Sequence, residues 1–103
     1  MTKLKELDLG GAALLRDISA VRNMPELGAL RVSHTDVRDI SALAGLAKLG
    51  VVELAGTRVK DFKPLMASAK SHKLIHLIVS EGTDSAAYAD LQRADPDLEV
   101  HEK

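Results

Sequence analysis

The stretch that decides the fold runs from Leu27 to Phe62 and reads LGALRVSHTDVRDISALAGLAKLGVVELAGTRVKDF. It repeats itself. Leu27, Leu30, Val32, Thr35, Val37 and Asp39-Ile40 recur as Leu49, Val52, Leu54, Thr57, Val59 and Asp61-Phe62, each displaced by 22 residues. An aliphatic L-x-x-L-x-L core at that period marks one small supersecondary unit stacked on copies of itself. A unit so short cannot bury its own apolar side, so neighbours must do it. The pattern predicts a scaffold and carries no chemistry of its own.

The same register extends outward with irregularities. Leu4, Leu7, Leu9, Ala12 and Asp17-Ile18-Ser19 form a first unit, 23 residues ahead of Leu27, with one extra residue in the segment 10–15. Leu74, Leu77 and Val79 open a fourth, 25 residues after Leu49, with the additional length in 66–73. Within each unit Leu7-x-Leu9, Leu30-x-Val32, Val52-x-Leu54 and Leu77-x-Val79 alternate with period two, predicting short strands. Ser33-His34 and Ala55-Gly56 follow as turn residues. The return segments carry Asp17-Ile18-Ser19 and Asp39-Ile40-Ser41, whose side-chain oxygens can accept bonds from the free N–H groups of a short helical turn. Pro64 takes the place of Ala42 in the third unit, where a first helical turn tolerates proline. Leu43 and Leu46, three apart, face one side of the second return.

The segment from Thr35 to Leu46, TDVRDISALAGL, resembles the leucine-rich repeat family in its 22-residue, internalin-like bacterial form. Thr35 and Thr57 stand where such repeats usually carry Asn, and a threonine hydroxyl can fill part of that role in the backbone ladder of the turn. Ala12 in the first unit cannot. The resemblance implies an α/β solenoid: a short curved parallel β-sheet, short helical or 3-10 return segments, and partner binding on the concave sheet face. The reading is one leucine-rich-repeat domain over 1–103, with repeats starting near 4, 27, 49 and 74 and a C-terminal cap over 84–103.

The cap shows as a change of pattern. Residues 85–94 read as a full helix, with Asp84 or Ser85 as N-cap and Pro96 past its end. Ala87, Tyr88, Leu91 and Ala94 form an apolar stripe. Leu98-Glu99-Val100 alternates as a last strand, and its charges discourage further pairing at an exposed edge. No matching cap precedes Leu4, which leaves Leu4, Leu7, Leu14, Leu15 and Ile18 open on the outer side of the first unit. Three explanations compete. The chain is a fragment of a longer repeat array, the open face binds another chain or a second copy, or the loop 10–15 folds back over it.

Bulk properties narrow the function. Hydrophobic residues make up 46% and aromatics 2%, so the interior is aliphatic and offers no platforms for stacking nucleobases. Fourteen basic residues oppose fifteen acidic ones, so no global field draws nucleic acid or a membrane. Bases nonetheless gather between Arg58 and Lys73, and acids between Glu81 and Lys103. The absence of cysteine excludes disulfides, thiol catalysis and Cys-ligated zinc. The N-terminus shows no secretory signal and no run is long enough to span a membrane, so the expected location is the cytoplasm. No cofactor is expected.

If the leucine positions point inward, the alternate residues line the concave sheet in two columns. One holds Glu6, Ala29, Val51 and His76; the other holds Asp8, Arg31, Glu53 and Ile78. Neighbouring parallel strands lie about 4.8 Å apart, which sets Arg31 between Asp8 and Glu53. The plain reading is a surface ion-pair ladder; the functional one is a charged stripe for a protein partner. Val51, Ile78 and Ala55, with His76, make a small apolar region beside it. His34 stands at the loop end of its strand as a further candidate. The expected partner-binding set is therefore Glu6, Asp8, Arg31, His34, Val51, Glu53, His76 and Ile78. Catalysis and metal binding are not expected. No nucleophile–base pair can be placed and no phosphate loop is present. His76 and His101 could meet on adjacent strands, with Glu99 beside them, but two histidines with no fixed third ligand make a weak metal signal.

Overall fold

In a computed structural model, residues 4–71, 73–83 and 85–103 are described. Five short strands, β1 (Glu6–Asp8), β2 (Ala29–Arg31), β3 (Val51–Glu53), β4 (His76–Val79) and β5 (Glu99–Glu102), form one sheet in the order β1-β2-β3-β4-β5. Every pairing is parallel. Leu7, Leu30, Val52, Leu77 and Val100 fall in one row across the sheet. The 22-residue displacement is thus the distance the chain travels to come back beside itself.

Three-residue strands are too short to hold a sheet by pairing alone. The ladder continues into the turns, where Leu9 N–H donates to Arg31 C=O, Val32 to Glu53 and Leu54 to Ile78, at 2.7–3.0 Å. The core lies behind the sheet. Leu27, Leu30, Leu49, Val52 and Leu77 are wholly buried against Ile40, Leu43, Leu46, Phe62 and Leu65 from the return segments. Truncating one such leucine to alanine costs about 2–5 kcal/mol.

The returns are one-turn 3-10 helices, Ser19–Asn23, Ser41–Leu43 and Lys63–Leu65. Each is started from the residue pattern read above: Ser19, Ser41 and Lys63 N–H donate to the Oδ1 of Asp17, Asp39 and Asp61 at 2.8–3.0 Å. Pro64 occupies the first turn of the third return, which then continues as α1 (Met66–Lys70) and absorbs the extra length. The threonine ladder is present, with the hydroxyl donating. Thr35 and Thr57 Oγ1 bond the carbonyls of Val32 and Leu54 at 2.7 and 2.6 Å, and Thr83 repeats the bond to Ser80 at 2.6 Å. Ser68 Oγ donates to Leu46 C=O across the stack. Among the described residues, no buried side-chain nitrogen or oxygen lacks a partner.

The cap differs from its expectation in one respect. Residues 85–94 do not form a continuous helix: a 3-10 turn, Ser85–Ala87, precedes α2 (Ala89–Ala94), with Tyr88 between them at φ −120°. Ten residues give little cooperative drive to a straight helix. The segment instead follows the short arc of the returns beneath it, with the Tyr88 ring edge-on to Phe62 at 6.4 Å. The expected N-cap at Asp84 lies outside the described residues. Asp95, held extended ahead of Pro96 as a pre-proline residue should be, ends the helix. Tyr88 and Leu91 are buried and Ala87 and Ala94 pack at the core margin, as the stripe required. At the other end, Ile18 is buried, contrary to the expectation that it lies open, because the first return tucks it against the second. Leu4, Leu7, Leu9 and Leu15 are half-buried, and Leu14 is 91% exposed.

The aspartate-started returns carry a pH signature. Asp17 and Asp39 are held below the ordinary 3.8, chiefly by the backbone N–H of Ser19 and of Ser41. A depressed carboxyl adds stability that is present above its unfolded-state value and lost as pH falls through its folded-state value. NMR titration of these carboxyls should give midpoints below 3.8. The urea midpoint of the protein should fall below about pH 4. Asp39→Asn, which keeps the acceptor oxygen, should make that fall shallower.

Candidate functional site

The strand register places the two inner columns as the alternation predicted. Glu6, Ala29, Val51 and His76 are laterally aligned, and β5 extends the row with Glu99. Asp8, Arg31, Glu53 and Ile78 form the second row, extended by His101. The inner face is therefore five strands wide.

Within the second row Arg31 binds Glu53, Nε to Oε2 at 2.6 Å. Asp8 has a different job: its Oδ1 accepts the N–H of Gly10 at 2.9 Å and shapes the first turn. The Arg31–Glu53 pair is partly open, with side chains 36% and 23% exposed, so its bond is geometrically good but screened by water. Glu6 is exposed and Val51 half-buried. Ala55 is buried at 3% and Ile78 at 7%. The apolar surface available to a partner is thus smaller than the residue types imply. Val51 supplies the accessible part, and Ile78 forms a floor between Glu53 and His101.

His34 stands apart from the columns. It has φ 60°, a left-handed conformation in which histidine is among the tolerated side chains. Gly11 and Gly56 take that conformation in the first and third turns. A β-carbon on Gly56 would lie 2.6 Å from His34 Nδ1, so the glycine makes room for the histidine ring. The fourth turn carries one more residue before its left-handed Gly82. There the Gly56 N–H, whose counterparts in earlier turns bond the Ser33 and Ala55 carbonyls, donates to the Ser80 hydroxyl at 2.9 Å.

The columns read from the sequence omitted a cluster on the loop side of the sheet. Asp36 is gripped by Arg16 at 2.8 Å and Arg58 at 3.0 Å, with Arg38 at 3.8 Å. Its signal was in the repeat: Arg16, Arg38 and Lys60 share one register position, each followed by Asp, and Arg58 falls in the register of Asp36. Glu26 and Lys48, also 22 apart, bond at 2.8 Å, and this hydrogen bond pulls the Glu26 carboxyl below its usual range. At the C-terminal edge of the inner face the rings of His76 and His101 lie 5.6 Å apart, centroid to centroid, with Glu99 beside them. His72 lies outside the described residues.

Solved structures share this arrangement. An internalin (inlF) from Listeria monocytogenes aligns over 98% of this chain and 35% of its own, at 24% identity and a TM-score of 0.70. This is a leucine-rich-repeat solenoid. An internalin C2 (inlC2) from the same organism aligns over 94% of this chain and 40% of its own, at 26% identity and a TM-score of 0.69. The chain spans between a third and two-fifths of the length of these internalins. No protein-family model matches the leucine-rich-repeat chain, and no curated protein matches it in sequence. No helix among the described residues is long and apolar enough to cross a membrane.

The Arg31–Glu53 pair gives a direct check of the inner face. A double-mutant cycle with Arg31→Ala and Glu53→Ala, followed by urea unfolding, should return a coupling of about 1 kcal/mol or less. A larger value would mean that the pair holds the sheet together and is not free to serve a partner.

Proposed function

We propose that this chain is a non-catalytic protein–protein interaction module that meets its partner through the inner face of the sheet. The supporting observation is the alignment of ten inner-face residues in two rows across the five strands, on the side of the sheet opposite the leucine row. The rows combine the Arg31–Glu53 pair, the accessible Val51, the acids Glu6 and Asp8, and His76 at the far side. Ile78 stiffens the floor, and His34 borders the loop edge. An apolar patch rimmed by charges suits a protein surface. The few aromatic residues, with Tyr88 and Phe62 packed in the core, leave no stacking platform for nucleic acid. On this reading residues 1–103 act as one repeat domain, with units starting near 4, 27, 49 and 74, a cap over 84–103 and the 22-residue, internalin-like repeat type.

The experiment compares capture of binding proteins from source cells by the native chain, by Arg31→Glu/Val51→Glu, and by a control, Arg22→Glu, on the first return. The inner-face variant should stay folded by circular dichroism and lose at least about tenfold in affinity for whatever the native chain retains, a change of about 1.4 kcal/mol. Equal capture by all three would refute an inner-face site.

A second reading rests on Leu14. A leucine 91% exposed, next to half-buried Leu15 in the first repeat, favours self-association through that repeat. Light scattering at two concentrations should then show a mass that rises with concentration and reverts to monomer in Leu14→Glu. A concentration-independent monomer removes this reading.

A further inference from the structure

The inner face ends in three metal-ligating side chains from two adjacent strands. On β5, Glu99 and His101 are two residues apart and so project to the same side. On β4, His76 lies directly opposite Glu99 in the register, and His101 lies opposite Ile78, one step along. His76 therefore has Glu99 at its side and His101 on the diagonal. His76 Nδ1 is 3.8 Å from Glu99 Oε2, the two imidazole rings are 5.6 Å apart with their planes inclined by 31°, and one donor atom from each of the three residues lies within 4.8 Å of the others.

We propose that His76, Glu99 and His101 form a binding site for a divalent transition-metal ion, with Zn2+ the ion whose chemistry they suit best. Two imidazoles, borderline donors, with one carboxylate match zinc and its neighbours, whereas calcium and magnesium take all-oxygen sets that the two imidazoles do not supply. Around a tetrahedral ion with bonds of about 2.0–2.1 Å the donor atoms stand about 3.3 Å apart. The spacing here is wider, and side-chain rotation can close it. The His76 and Glu99 side chains are 40% and 60% exposed and are not wedged by packing. The strands that carry them are meanwhile fixed by the parallel ladder, which Glu99 N–H joins by bonding Ile75 C=O and Lys103 N–H by bonding Val79 C=O, both at 2.9 Å.

Three protein donors leave at least one coordination position facing solvent, where water completes the shell. The site belongs to the edge of the sheet that β5 creates. It exists only because the C-terminal segment pairs as a fifth strand in this register. Shifted by one residue, Glu99 and His101 would face the core and Val100 the solvent. It does not depend on the inner face binding a protein, and the experiment below makes no use of such a partner.

The test titrates the full chain, free of any histidine tag, with ZnCl2. Calorimetry should give saturable one-to-one binding. Imidazole nitrogen NMR should show the His76 and His101 rings shifting together, His34 remaining unmoved, and EDTA reversing the change. His76→Ala and His101→Ala should each weaken binding by at least about tenfold, and Glu99→Gln should weaken it less than either histidine substitution. Absence of saturable binding up to about 1 mM Zn2+ would overturn the proposal, as would undiminished binding by His101→Ala. If a variant fails to fold, the ring shifts of the native chain decide the question alone: shifts confined to His34 or His72 overturn it.

Discussion

No repeat in this chain can satisfy itself. Each presents a row of backbone N–H and C=O groups along a three-residue strand and an aliphatic flank behind it, and both find partners only in the next repeat. This constraint explains why the interior is built almost wholly of Leu, Val, Ile and Ala. Repeating layers at fixed spacing admit side chains of similar size. The two large rings, Phe62 and Tyr88, sit together near the cap, where the regular layering gives way. It also explains why the turns are so fully bonded. With strands this short, the Thr35, Thr57 and Thr83 hydroxyls and the Asp17, Asp39 and Asp61 carboxylates fix each turn within its own repeat, while backbone bonds such as His34 N–H to Ala55 C=O and Arg58 N–H to Val37 C=O join one layer to the next.

The same dependence makes the functional surface a by-product of the scaffold. Once Leu30 and Val52 are committed to the core, their neighbours Ala29, Arg31, Val51 and Glu53 must face the other way, because side chains alternate along a strand. Nothing in the fold dictates what those outward residues are. They are the positions at which the protein can vary its surface without disturbing its layers. The face is charged toward β1, mixed at β2 and β3, and rich in imidazole at β4 and β5.

How much of this was legible in the sequence varied with the physical source of each feature. The register, the strand positions and the two inner columns followed from period and alternation, since burial imposes both directly on residue type. The Asp-started returns were legible because a short acceptor side chain has few other uses at that position. The break at Tyr88 was not, because local helix-forming residues do not report the arc imposed by the layer beneath. The burial of Ile78 and Ala55 was also hidden: their exposure depends on how closely Glu53, His101 and the turn residues crowd them, which residue type cannot show. The Asp36 cluster was present in the repeat as Arg16 and Arg38 at one register position and Arg58 at the register of Asp36, but it becomes visible only when the register is followed into the loop. His76 lies far in sequence from Glu99 and His101; alternation on adjacent strands raised their meeting, but only as a weak metal signal, because it hinged on the pairing of the last strand.

The order of strands in the sheet is the order of strands in the chain, and this has a kinetic consequence. Every strand finds its partner after one circuit of 22 to 25 residues. The entropic cost of closing a loop rises only slowly with its length, so each rung costs nearly the same to form. Parallel sheets are usually slow to assemble because their pairings are distant. Here the distance is short and constant. Assembly is then governed by which adjacent pair of layers fits best. Pairing can therefore begin at any adjacent pair of layers and spread from there toward both ends.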